Sequence, residues 1–244
     1  MNRVAIVTGA GRGIGAACAR NLVQNGYDVV LAEQNMDTGL ALEAKLGTAA
    51  KCIQTDVRLE SSLKAMVLQT ITHFGRLDLL INNAGRNRRT PLLETTTETW
   101  LEMLTLNLSS VFWACQSAMP HLIKTSGSVV NISSLVGLQG QSEAVAYAAA
   151  KGGIIALTKT LALDFAPHGV RINCLCPGDI HTPQYDEWLT EQPDGQAVLK
   201  AIHSRLPVGR MGTPEETAEA ILFLAQNRFA NGTILVLDGG KVLG

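Results

Sequence analysis

The chain has 244 residues, 46% of them apolar and 17% charged, which is ample for a sizeable core and argues against disorder. A formal net charge of −1 excludes the basic footprint of a nucleic-acid binder or of a protein drawn to an anionic membrane, and no apolar stretch is long enough to span a bilayer. Met1-Asn2-Arg3 runs straight into "VAIVTG", too short for a signal-peptide core, so the expected compartment is the cytoplasm.

In chain order, a strand over 4–7 leads into a glycine cluster and a helix over 13–26; a strand over 29–32 and a helix over 36–46 follow. Strands over 51–54 and 77–81 bracket a helix over 59–74, and strands over 128–132, 171–175 and 233–237 alternate with helices over 96–124, 145–166 and 214–226. Such alternation predicts an α/β fold, one doubly wound domain with a parallel sheet and helices on both faces. No linker, charge block or repeat divides the chain. Segments 100–115 and 154–165 are apolar around most of their circumference, which predicts burial on more than one side and hence a homo-oligomer.

The five cysteines are scattered through apolar segments, and none has a partner at metal-ligand spacing, so no metal site is expected. Cys174 and Cys176 are expected on opposite faces of their strand, unable to bridge. The three glycosylation sequons, at Asn107, Asn131 and Asn231, read as chance matches in a chain without a secretory signal.

"VAIVTGAGRGIGAACA" places Gly9, Gly11, Gly13 and Gly15 between a strand and a helix. Glycines there let a pyrophosphate reach the helix N-terminus, where unpaired N–H groups favour negative charge; the Gly-Lys-Ser/Thr of a P-loop is absent. Glu33 ends the second strand, eighteen residues past Gly15. A carboxylate there accepts hydrogen bonds from both adenosine ribose hydroxyls and repels a 2′-phosphate, so NAD is the expected cofactor. Arg12, inside the glycine cluster, pulls the other way, because an arginine there could pair with a 2′-phosphate.

With "TGAGRGIG", "NNAG" (82–85) and Tyr147-Ala-Ala-Ala-Lys151, the chain resembles the short-chain dehydrogenase/reductase family over residues 4 to about 240. The resemblance implies a seven-stranded Rossmann sheet, a dimer or tetramer, and an active site of Asn107, Ser134, Tyr147 and Lys151. It also implies cofactor contacts at Gly9, Arg12, Gly13, Ile14, Gly15, Asp56, Val57, Asn83, Ala84, Gly85, Pro177, Gly178, Ile180 and Thr182, with Asn83 near the ribose. Tyr147 and Lys151 lie four apart and share a helix face. A nearby ammonium favours phenolate, so the Tyr147 pKa is expected to fall toward working pH. Ser134 would hydrogen-bond the substrate oxygen, Lys151 would also hold the nicotinamide ribose, and Asn107 would hold a water in a proton relay.

The loop 86–91, the segment 138–146 and a substrate lid at about 179–207 are the expected substrate contacts. Arg86, beside the cofactor site, is the arginine expected to meet a substrate carboxylate or phosphate, with Gln141 and Gln184 as polar contacts. A polar pocket with aromatic walls favours a polyol, sugar or sugar acid. The alternatives are a 3-oxoacyl-carrier-protein reductase, disfavoured by Glu33, and a non-catalytic NAD-binding regulator, disfavoured by the complete Ser–Tyr–Lys set. The segment before the last strand is about two residues shorter than the family habit, which bears on a tetramer interface there.

Overall fold

The computed structural model describes residues 2–243. Strand β1 (Arg3–Thr8) leads into α1 (Gly13–Gln24), followed by β2 (Tyr27–Glu33), α2 (Met36–Leu46), β3 (Ala50–Gln54) and α3 (Glu60–Phe74). Next come β4 (Leu79–Asn82), α4 (Thr97–Leu104), α5 (Ser110–Thr125), β5 (Ser128–Ile132), a short α6 (Val136–Gln139), α7 (Val145–Phe165) and β6 (Arg171–Pro177). Helices α8 (Pro183–Thr190), α9 (Gly195–Ser204) and α10 (Pro214–Gln226) precede β7 (Ile234–Leu237).

The strands form one parallel sheet in the order β3-β2-β1-β4-β5-β6-β7. Alternation along β1 shows why both faces are covered. Ala5 and Val7 pack in a core with α1, α2 and α10, whereas Ile6 packs in the opposite core with α3, α5 and α7. The order reverses between β1 and β4, which opens a crevice at the C-terminal ends of these two strands. The glycine cluster leaves β1 there and Asn83–Ala84–Gly85 leaves β4 beside it.

Three expectations are corrected. Residues two apart on a strand share a face, so Cys174 and Cys176 both enter the α3/α5/α7 core, with their sulfurs 4.0 Å apart. All five cysteines are nonetheless free and buried, and burial pushes the Cys18 and Cys115 thiols up to about 12, which makes them poor nucleophiles. The helix expected over 96–124 is interrupted by a π-turn at Thr105–Ser109, which carries Asn107. The strand expected over 77–81 starts at Leu79, because Asp78 bonds the Val4 amide and pairs with Arg76 instead. The segment 179–207, expected as the substrate lid, contains α8 and α9.

Candidate active site

The glycine cluster is shaped by close backbone approach. Gly9 has φ +64 and its N–H reaches the Ala32 carbonyl, and Gly13 has φ +55. A Cβ on Gly15 would lie 2.1 Å from the Gly9 carbonyl oxygen, so no other residue fits there. The α1 N-terminus has no side-chain cap, and its N-cap residue is Arg12. Its first amides are therefore left for an anion. Thr182 stands opposite: a Cβ on Gly13 would meet its side chain at 3.5 Å. The Thr182 hydroxyl itself accepts the Tyr185 N–H and caps α8.

Glu33 is held by three backbone N–H groups. Oε2 accepts from Gly11 at 2.8 Å, and Oε1 accepts from Gln34 and Asn35, both at 3.0 Å. A carboxylate has about four lone-pair sites, so one direction remains for a ribose hydroxyl rather than the two expected. Gln34 donates to Asp56, whose carboxyl is held below its ordinary range chiefly by the hydrogen-bonded Arg58 guanidinium. Val57 is buried beside it. Glu33 and Asp56, from β2 and the loop after β3, are thereby linked at one end of the crevice.

Asn83 differs from expectation. Its amide nitrogen donates to the Thr8 and Gly9 carbonyls at 2.9 and 3.2 Å, so the side chain ties β4 to the glycine cluster instead of pointing at a ribose. The Thr8 hydroxyl completes this tie by accepting the Asn83 and Ala84 amides. On the other side of the crevice the β6 end supplies the floor. Gly178 packs so tightly on Asp238 that a Cβ would fall 2.8 Å from it, and Ile180 bridges to Gly212 just beyond Pro177.

Four residues on three elements converge at the centre. Lys151 on α7 is buried, and its Nζ donates to the Ile132 carbonyl at 2.8 Å and lies 5.6 Å from the centre of the Tyr147 ring. Ser134, just past β5, accepts the Val136 amide and stands by the Tyr147 hydroxyl. Asn107 is fully buried; its Oδ1 accepts the Arg86 N–H and its Nδ2 donates to the Arg86 and Met103 carbonyls. A π-turn inserts one residue into the helix and re-aims its carbonyls, a device common at functional sites. Gly85 is wedged between Asn107 and Lys151: a Cβ would lie 2.7 Å from Asn107 Oδ1 and 3.4 Å from Lys151 Nζ.

The expected fall in the Tyr147 pKa is not what the site produces. Burial pushes Tyr147 up to about 12, with the Ser134 hydroxyl pulling the other way, and burial lowers Lys151 to about 8. Desolvation penalises both charged forms, and it is the largest cause of the shift at each group. At neutral pH Tyr147 is a neutral donor and Lys151 a cation.

The substrate-side residues are spread along the rim. Arg86 is exposed and joins the centre only through its backbone. Asn87 donates to Gln141, Arg88 pairs with Glu102 at 3.8 Å, and the Arg89 guanidinium lies 5.8 Å from the centre of the Trp188 ring on α8. Trp188 packs edge-on against Tyr185, while Gln184 is exposed. Sequence reasoning missed Ser133, whose hydroxyl donates to the Lys151 carbonyl, and Gly137, where a Cβ would sit 2.7 Å from Lys151 C. The pair "SS" in "NISS" was the available signal for the first; nothing marks the second.

A family model described as enoyl-(acyl carrier protein) reductase matches residues 9–241. The rabbit (Oryctolagus cuniculus) L-fucose dehydrogenase is 44% identical, over 99% of this chain and 86% of its own length. The chain belongs to the short-chain dehydrogenase/reductase family. It is an oxidoreductase of that family, whose members use nicotinamide cofactors. The 3-oxoacyl-[acyl-carrier-protein] reductase FabG of Thermotoga maritima is 36% identical, over 99% of this chain and 98% of its own. A solved structure of ElxO with NADP bound superposes with a TM-score of 0.92 at 31% identity, covering all of both chains.

Proposed function

We propose that the protein is an NAD(H)-dependent dehydrogenase of a small hydroxylated substrate, with a neutral sugar such as L-fucose as the first choice. The carrying observation is the 44% identity with the rabbit L-fucose dehydrogenase along 99% of the chain. The reading is consistent with a polar rim of Asn87, Gln141 and Gln184 beside the aromatic pair Tyr185 and Trp188. The hydroxyl oxidised is a secondary one, giving a ketone, or a lactone if it is the anomeric hydroxyl of a ring.

Residues present fit the cofactor. The glycine cluster, including Gly9, Gly13, Ile14 and Gly15, would seat the pyrophosphate at the α1 N-terminus with Thr182 opposite. Glu33 would accept a ribose hydroxyl, with Asp56 and Val57 at the adenine, and Ala84, Gly85, Pro177, Gly178 and Ile180 along the rest of the molecule. NAD held there would supply the hydride acceptor for oxidation, and NADH the donor for reduction. On reduction neutral Tyr147 donates its proton to the substrate oxygen. On oxidation its phenolate, the minor form at neutral pH, takes the hydroxyl proton and releases it to solvent, so oxidation speeds up as pH rises. Ser134 donates to the substrate oxygen as its charge changes. Lys151 supplies positive charge below Tyr147 and a donor for ribose, and Asn107 keeps the Gly85–Arg86 backbone against it. Segment 179–207 acts as the lid. Exposed Leu101 and Phe112 on α4 and α5 and Leu163 on α7 support assembly into a homodimer or homotetramer through those helices.

The test is initial rates with NAD+ and NADP+ on L-fucose, related neutral sugars, polyols and sugar acids, with Tyr147→Phe as the control. NAD-dependent oxidation of a neutral sugar, lost by at least about 10³-fold in Tyr147→Phe, is the expected result. Preference for sugar acids would shift the substrate class toward Arg86. Turnover confined to a 3-oxoacyl thioester with NADPH would replace this reading by the reductase reading that the Thermotoga relative favours.

A further inference from the structure

We propose that Glu187, on α8, sets cofactor choice together with Glu33, by holding Arg12 in an ion pair that keeps its guanidinium from a 2′-phosphate; this rests on the placement of NAD(H) along the glycine cluster. Arg12 Nη1 and Glu187 Oε1 are 2.5 Å apart. Arg12 sits between Gly11, whose amide binds Glu33, and Gly13, which faces Thr182. Its side chain therefore starts within one residue of the carboxylate that marks the adenosine ribose. An unpaired arginine at that place would be a strong partner for a phosphate dianion and would oppose the selection made by Glu33.

The fold brings Glu187 to it. Thr182 caps α8 against the glycine cluster, with Pro183 beside it, and Glu187 lies one further turn along the same helix. Arg12 thus pairs with the α8 carboxylate of Glu187, while Glu33 on β2 binds the amide of the neighbouring Gly11. A 2′-phosphate would have to displace Glu187 from Arg12 and lie near both carboxylates. A ribose hydroxyl carries no charge and meets neither cost. The pair is about half exposed on each side, at 51% and 59%. It can therefore exchange partners, and salt weakens it. Position 187 carries no family motif, so only the approach of the first turns of α8 to the start of α1 reveals it.

Binding of NADH and NADPH to the full chain, followed by cofactor fluorescence without substrate, tests this. Glu187→Gln is expected to tighten NADPH by about fivefold, the scale of one charge-assisted contact at an exposed site, and to leave NADH within about twofold. Arg12→Gln/Glu187→Gln is expected to lose that gain. A Glu187→Gln ratio of the two dissociation constants within about twofold of the wild type overturns the proposal, as does a gain that survives in the double variant. Glu33→Ala, measured in parallel, separates the two readings. If it leaves the ratio unchanged while Glu187→Gln shifts it, the assignment of Glu33 fails and that of Glu187 stands.

Discussion

Around the glycine cluster the polar groups are held by backbone. Three amides fix Glu33, two carbonyls fix the Asn83 side chain, and Gly15 lies directly against the Gly9 carbonyl. On the substrate rim the contacts run from side chain to side chain across partly solvated space: Asn87 to Gln141, Arg88 to Glu102, Arg89 to Trp188. The difference teaches where variation is tolerated. A site built from backbone leaves no alternative rotamer, so substitution there breaks the fold or the binding. A rim of exposed side chains can be re-edited for a new substrate at small cost to stability.

That contrast can be broken at two glycines. Gly15→Ala must push a methyl into backbone and is expected to destabilise the chain by roughly 1–3 kcal/mol and to abolish cofactor binding, read by chemical denaturation and NADH fluorescence. Gly152→Ala, beside Lys151, meets nothing nearer than 3.5 Å and sits in a helix, so it is expected to be neutral or stabilising by up to about 1 kcal/mol. Equal losses in both would show that the close backbone contact at Gly15 is not what sets the cost there.

The buried centre gives a second handle through pH. Lys151 has its pKa lowered to about 8 from an ordinary 10.5. The unfolded chain therefore binds more protons than the folded one between those values, and stability rises with pH across that window. The wild type should gain up to about 3 kcal/mol relative to Lys151→Met as pH goes from 7 to 10.5, measured as denaturation midpoints of both proteins. A flat difference would mean that Lys151 is solvated rather than sealed.

The smallest effect belongs to the rim. Arg89→Ala is expected to raise KM by about two- to fivefold, because its stacking on Trp188 is worth roughly 0.5–1 kcal/mol at an exposed site. Arg86→Ala should change KM less for a neutral sugar, since the structure ties only its backbone to the centre. A larger effect at Arg86 would restore it as the anion-binding residue.

Local signals account for much of the architecture. Alternating apolar strands and amphipathic helices are short-range patterns, so the parallel sheet, its two-sided core and the glycine turn after β1 could be read from the chain. Glu33 and the Tyr147–Lys151 pair were legible because their spacing maps onto a strand end and one helix face. What only the tertiary structure decided depends on residues far apart in sequence. The neutral state of Tyr147 follows from burial beneath surrounding elements, and the Asn83 clamp follows from β4 lying beside β1. The shared face of Cys174 and Cys176 was available to period-two reasoning and was misread; the break in the helix at Asn107, by contrast, becomes visible only when the Arg86 backbone packs against it. Glu187 meets Arg12 across 175 positions of chain, a contact that no local pattern encodes because it exists only once the start of α8 lies beside the glycine cluster.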